Sequence, residues 1–311
     1  MDLLRISATS HGINYLPEYY ATATGAFARR GLEVQAWARD PWTQTLEDLA
    51  TGGADLVLGG VWVPAMYAGA GRELVAVGQL NARFPMAIVT REPISDFSWS
   101  WLSGKTVLAP GAGGTAPYEF TAGVMREHGF DPASVKFVRD LSTAMLVELF
   151  EHGLGDALIA DPLTTKSLEL TKTGHAACWL AAVGGPMPNS VYYTERARLD
   201  ELQPRLVALM GGISEAMAAL SAGADPSTVI NAQWPDGPRA ALLGAAETMA
   251  ANGTWSGVRI EPAALDRWVG ILSGRGLTVS EAGYPQLVDP RVVDAVERTA
   301  AGPVVVGEPA Q

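Results

Sequence analysis

Cys178 is the only cysteine in the 311-residue chain, which excludes an intramolecular disulfide and any multi-cysteine metal site. It lies in HAACWLAAV, an apolar run that reads as a buried strand, so the thiol is expected to pack as a small hydrophobe and not to act as a nucleophile. Charge is also sparse: 18% of residues are charged, with 33 acidic against 22 basic, for a net charge of −11. No basic stretch offsets that balance, which argues against a nucleic-acid partner and against a membrane-surface role. No apolar run approaches the ~20 residues that span a bilayer, so membrane insertion is not expected. Met1-Asp2 runs straight into a strand pattern without a basic region or cleavage site, and no early cysteine is available to carry a lipid. The expected location is the cytoplasm if Met1 is the natural start, or outside it if an export segment has been removed. The chain has no HExxH cluster, no Lys-Ser/Thr P-loop ending and no well-formed dinucleotide fingerprint, so neither a metal nor a cofactor is expected.

What is present is a hydrophobic fraction of 48% over a length that suits two domains better than one small core. Two matching strand–loop–helix openings stand about a hundred residues apart. The first is LLRISATSHGINYLPEYYATATGAFARRGLEV at the N-terminus, and the second is GKTVLAPGAGGTAPYEFTAGVMREHGFDPASVKFV from Gly104. Such a loop leaves backbone N–H groups unpaired at a helix N-terminus, where they can hold an anionic or polar group. The first opening predicts a strand over Leu3–Ala8, a helix from near Pro17 stopped by Gly31, and a strand over Leu32–Trp37. Strands near Glu73–Gln79 and Pro85–Thr90 precede the linker EPISDFSWSWLSG. A second series runs from Lys105 to about Leu170, followed by a strand over Ala176–Val183 and another over Ser190–Thr194. The remainder reads as helices: Pro204–Ala222, Pro226–Gln233, Pro238–Ala251, Glu261–Ser273 and Pro290–Ala300.

The order and spacing of several pieces carry a resemblance. They are YYATATGAFARRGLEVQ, TLEDLATGGADLVLGG, GRELVAVGQL, LSGKTVLAPGAGGT, GFDPASVKFVRD, AMLVELFEHGLGDALIADP and TWSGVRIEPAALDRWVGILSGRGL. Together they resemble type II periplasmic-binding-protein folds of the nitrate/taurine/alkanesulfonate and thiamine-pyrimidine-precursor (THI5-like) group, from the first strand to roughly Pro290. The resemblance implies a two-lobed α/β fold with two crossovers, placed near Arg91 and Asn189, and a helical C-terminal part. Lobe 1 is then 1–90 plus 190–311, and lobe 2 is 91–189.

In such a fold ligands bind beyond the carboxyl ends of the strands, which points to loop residues. In lobe 1 these are His11, Gly12, Asn14, Tyr15, Trp42, Thr43, Gly60 and Trp62, with Asn81 and Arg83 near a later strand end. In lobe 2 they are Gly113, Gly114, Thr115, Asp140 and Asp161. Each has a plainer reading. His11 can be a loop-stabilising hydrogen-bond partner, GAGGT a tight turn in place of an anion cradle, and Trp42 and Trp62 packing between lobes. Arg83 suits an ion pair, and Asp161, just before Pro162, suits an N-cap.

Two functions fit the resemblance. One is a solute-binding protein that closes on a sulfonate, carboxylate or pyrimidine-like molecule and hands it to an ABC-transporter permease. The other is a cytosolic, cofactor-independent enzyme on the same fold, decarboxylase/lyase-like or thiamine-pyrimidine-synthase-like, with His11 as proton donor in a decarboxylation. Desulfinases of this fold place a cysteine where this chain reads SHGINYLP. The pyrimidine synthases carry a cysteine-rich run that is absent here.

Overall fold

The computed structural model of the chain describes residues 1–111, 114–278 and 282–300. Four strands come first, β1 (Asp2–Ala8), β2 (Leu32–Ala38), β3 (Leu56–Gly60) and β4 (Leu74–Gln79), with helices α1 (Leu16–Ala23), α2 (Gln44–Ala50) and α3 (Trp62–Tyr67) between them. A second run comprises β5 (Ala87–Thr90), β6 (Thr106–Leu108), α4 (Ala116–Glu127), β7 (Lys136–Val138) and α5 (Thr143–Glu151). It continues with β8 (Ala157–Ala160), α6 (Pro162–Thr171), β9 (His175–Trp179) and α7 (Leu180–Val183). The chain returns with β10 (Ser190–Glu195) and then forms α8 (Leu199–Ser221), α9 (Ser227–Gln233), α10 (Arg239–Ala251), α11 (Pro262–Ser273), α12 (Tyr284–Leu287) and α13 (Arg291–Ala300).

The strands form two five-stranded sheets, ordered β2-β1-β3-β10-β4 and β7-β6-β8-β5-β9. In each, the βα units give parallel pairs, and the strand that arrives by crossing from the other sheet is antiparallel to both neighbours: β10 in the first, β5 in the second. The two-lobed α/β architecture is therefore the one expected from the sequence. The first crossing lies between Gln79 and Ala87, however, ahead of the expected Arg91, because β5 pairs with β8 and β9 in the second sheet. The second lies between Trp179 and Ser190, which includes the expected Asn189.

The two crossing segments run side by side as a short ribbon. Leu80 N–H donates to Ser190 O at 2.7 Å, Asn189 N–H to Asn81 O at 2.9 Å, and Met187 N–H to Ala82 O at 2.9 Å. Asn81 is fully buried there, and its Nδ2 donates to Asn14 O at 2.9 Å. The ribbon ties the first strand–helix loop directly to the junction between lobes.

One core packs α8 against the first sheet, with Leu202, Leu206, Leu209 and Ile213 on Leu4, Ile6, Leu58 and Tyr192. A second runs from the other face of that sheet, through Val57, Ala76 and Tyr193, into the second lobe at Ile88, Val107, Phe120 and Ile159. Burial of these side chains at about 25 cal/mol per Å2 is what holds the lobes' inner faces together.

Three local expectations are corrected. α1 ends at Ala23, and a turn with a short 3-10 segment (Ala28–Arg30) separates it from Gly31, whose φ of +72° makes the left-handed stop. The run expected as a strand to Val183 turns helical at Leu180, since a continuous apolar run has no periodicity to separate the two states. α8 starts at Leu199 and contains Pro204, because buried Leu199 and Leu202 anchor the turn ahead of the proline.

Candidate functional site

A cavity of about 690 Å3 lies at the carboxyl ends of β1, β2 and β3. Its wall comes from three loops: Thr9, Ser10 and His11 after β1, Ala38 to Trp42 after β2, and Gly60 with Trp62 after β3. Parallel strands end in register here, so each following loop opens on the same edge.

Trp42 and Trp62 meet edge to face, 5.1 Å between ring centroids, the geometry aromatic quadrupoles favour. Gly60 makes room for that pair. A Cβ there would fall 2.2 Å from Trp62 Nε1, so any side chain would displace the indole. Trp62 also reaches across to the second lobe, where a Cβ on Gly114 would lie 3.5 Å from its Cζ2. The backbone of Gly114 has φ +135°, a region open to glycine.

The His11 ring is held between Tyr19 (5.2 Å) and Trp234 (4.9 Å), and its Nε2 shares a hydrogen bond of 3.0 Å with Gln233 Oε1. Around it the loop is pinned from within. Asn14 folds its Oδ1 over Gly12, leaving no room for a Cβ, and Tyr15 is buried with its hydroxyl 3.1 Å from Thr9 Oγ1. Arg39, on the cavity wall, gives Nε and Nη2 to Asp48 at 2.7 and 2.8 Å. Ser7 Oγ and Trp37 Nε1 also donate to Asp48. The Arg39 hydrogen bonds, with help from the other two, bring that carboxyl down to about 2.

The second lobe presents the N-terminus of α4. Neither Thr115 nor Ala116 has a backbone acceptor for its N–H among the described residues, no side chain caps the helix, and Pro117 has no N–H to satisfy. α5 and α6 differ: Ser142 and Asp161 cap them, Asp161 taking Thr164 N–H at 3.0 Å and Thr164 Oγ1 at 2.6 Å. Of α4, α5 and α6, α4 is the one without a side-chain cap among the described residues, so its dipole can face an anion. Glu119 on its first turn is buried, with Oε2 3.3 Å from Arg275 Nε. Arg139 lies over the Tyr118 ring at 4.3 Å and makes no ion pair among the described residues.

The structure thus brings His11, Trp42, Gly60 and Trp62 onto one cavity, with Gly114 near the Trp62 ring and Thr115 next to it in sequence. Gly12, Asn14 and Tyr15 shape the loop from behind, and Thr43 is exposed at the start of α2. Arg83 is elsewhere: its Nη1 donates to Ala181 O at 2.8 Å, and it lines a separate cavity of about 440 Å3 with Gln79, Arg259 and Glu261. Asp161 is engaged as a cap, and Asp140 is exposed with φ +72°. Gly113 lies outside the described residues. Burial pushes the Cys178 thiol up to about 12, so it is protonated at neutral pH. Among the described residues, no group of three or more His, Cys, Asp or Glu is placed to hold a metal ion, and no helix is long and apolar enough to cross a membrane. Ser10 and Arg39 on the cavity wall were not singled out by the sequence. Ser10 stands beside His11 in the same loop, and Arg39 directly follows the second strand.

Two α/β lobes joined by a paired crossing, with strand ends facing a cavity, define a two-lobed fold of the periplasmic-binding-protein type. The chain belongs to the NMT1/THI5-like family, whose model matches residues 12–227. No curated protein sequence matches it. Among solved structures it is similar to the alkanesulfonate-binding protein SsuA from Xanthomonas axonopodis pv. citri bound to MOPS, at 18% identity and TM-score 0.69 over 93% of this chain and 98% of that one. It is similar to the periplasmic nitrate-binding protein NrtA from Synechocystis PCC 6803, at 12% identity and TM-score 0.68 over 97% and 89%. The desulfurization enzyme DSZB shares the fold as well, at 14% identity and TM-score 0.65 over 96% and 100%.

Proposed function

We propose that the protein is a solute-binding protein that holds a small organic anion, a sulfonate or carboxylate with a flat or apolar body, between its lobes and delivers it to an ABC-transporter permease. The observation that carries this reading is the 690 Å3 cavity with its Trp42–Trp62 pair, faced across the cleft by the uncapped N-terminus of α4. The aromatic pair suits the body of the ligand, and the backbone N–H groups at the start of α4 suit its headgroup. The sulfonate- and nitrate-binding functions named for two of the similar structures support the same reading. In the proposed mechanism the lobes close about the paired segments 80–86 and 180–189, with 87–179 moving as one body against the rest.

Native mass spectrometry of the protein with a pool of sulfonates, pyrimidines and aromatic acids, sampled over time, tests it. A one-to-one adduct that returns its ligand intact is expected. Loss of a pool member with a product of new mass overturns the binding reading in favour of an enzyme. Small-angle scattering with the ligand so found is expected to show compaction, and an unchanged radius of gyration defeats the closure.

A further inference from the structure

Beside the main cavity is a smaller one, of about 190 Å3, lined by Ser10, His11, Glu18, Tyr19, Gln233 and the inner side of β2. Ser10, His11 and Ala38 line both, so the two open on a common rim. Its polar floor is Glu18, on the first turn of α1 and 2% exposed. One carboxyl oxygen, Oε2, takes the Tyr192 hydroxyl at 2.6 Å.

Glu18 differs from the other deeply placed acids. Asp55 is paired with Arg5 and Arg198, Asp289 with Arg291, Asp48 with Arg39, and Glu119 with Arg275. Among the described residues Glu18 is in no ion pair. The titratable groups that face it are Tyr15 and Tyr19 from its own segment, Tyr192 from β10 and, across the cavity, His11. None of these is a fixed positive charge. A buried carboxylate without a counter-charge is costly, and it is relieved either by a proton or by a cation that enters from outside. At roughly 30 Å3 per water, the space beside it holds several waters or one small amine head.

We propose that this side cavity is a subsite for the ammonium-type nitrogen of a ligand whose anionic end lies in the main cleft, with Glu18 as the carboxylate that pairs with it. The proposal rests on the binding reading above and narrows it to zwitterionic or amine-bearing solutes. Burial, opposed by the Tyr192 hydrogen bond, brings the free carboxyl to about 7. Pairing with a cation then favours the ionised form and releases a proton on binding near neutral pH.

The test has two arms. Calorimetry at pH 7 compares matched ligands, alkanesulfonate against aminoalkanesulfonate and alkanoate against aminoalkanoate, on wild type and Glu18→Gln. The amine-bearing member is expected to bind roughly tenfold tighter to wild type, with proton release seen as a buffer-dependent enthalpy, and both the preference and the release disappear in E18Q. Equal binding of the matched pair to wild type, or a preference that survives in E18Q, overturns the proposal. If neither series binds, the binding reading for anions fails, and the subsite is judged by the second arm. In that arm carbon-13 NMR follows the Glu18 carboxyl with methylammonium chloride as probe and sodium chloride at equal ionic strength as control. A downward shift of its titration with methylammonium alone supports the subsite. No shift, or an equal shift with sodium, overturns it.

Discussion

The two faces of the cleft are built from different materials. The first lobe offers side chains: Trp42 and Trp62 against each other, His11 between Tyr19 and Trp234, Arg39 fixed on Asp48. The second offers backbone: a loop pinned by Gly111 N–H donating to Leu141 O at 3.2 Å and Gly114 N–H to Gly111 O at 3.0 Å, and the start of α4, where the N–H groups of Thr115 and Ala116 have no backbone acceptor among the described residues. Gly111 packs so tightly that a Cβ would come within 2.8 Å of Asp140 N. Side chains discriminate by shape and ring character, whereas backbone N–H groups accept any small anion. Under the proposed function, this contrast gives choice of ligand to the first lobe and generic anchoring to the second.

Trp62→Ala is the strongest challenge to that assignment. It removes the aromatic wall and its contact across the cleft, and a loss of roughly hundredfold in affinity, about 3 kcal/mol, is expected by calorimetry. A change of less than about threefold would place the ligand elsewhere. The next effect concerns the first lobe alone, through Glu18. Its folded-state value of about 7 lies above that of an unfolded glutamate, about 4.5. Between those values the native state binds a proton that the unfolded chain has already lost. Stability from this group is therefore present below about 4.5, falls as pH rises, and is lost above about 7, by an amount on the order of 2–3 kcal/mol. Urea unfolding at pH 5 and pH 8 should show that slope in wild type and not in Glu18→Gln; equal slopes would refute it. Third, Thr115→Pro deletes the N–H of a residue whose φ of −86° lies near the range proline adopts, and is expected to weaken anion binding about tenfold.

The same division between side chain and backbone decides what the sequence made legible. Runs such as LVLGG in β3 and ALIA in β8 announce buried strands, and the loops behind them single out His11, Gly60 and Trp62, which the fold places on one cavity. Nothing in MAIVT says that β5 joins the second sheet, because that is fixed by pairing with Ala157–Ala160, about seventy residues on. Arg83 and Asp161 are charged residues near strand ends, where the polar groups of a ligand are expected. The N-cap partner of Asp161, Thr164, is local and was legible, whereas Ala181 O, 98 residues from Arg83, is visible only in the fold. Glu18 was passed over for the same reason: in PEYY it reads as an ordinary first-turn acid, and only Tyr192, 174 residues away, reveals that it is buried.

The smallest expected effect is the most exacting check on the contrast. If the second lobe binds through its backbone, deleting the Thr115 side chain while keeping its N–H should matter little. The hydroxyl caps nothing in α4, and the residue is exposed. Thr115→Ala should therefore leave affinity within about twofold of wild type, under ~0.5 kcal/mol, in the same calorimetric assay that reads a tenfold loss for Thr115→Pro. A loss in T115A equal to that in T115P would mean that the hydroxyl is the anchor. The second lobe would then discriminate by side chain as the first does, and the division of labour between the two faces would fall.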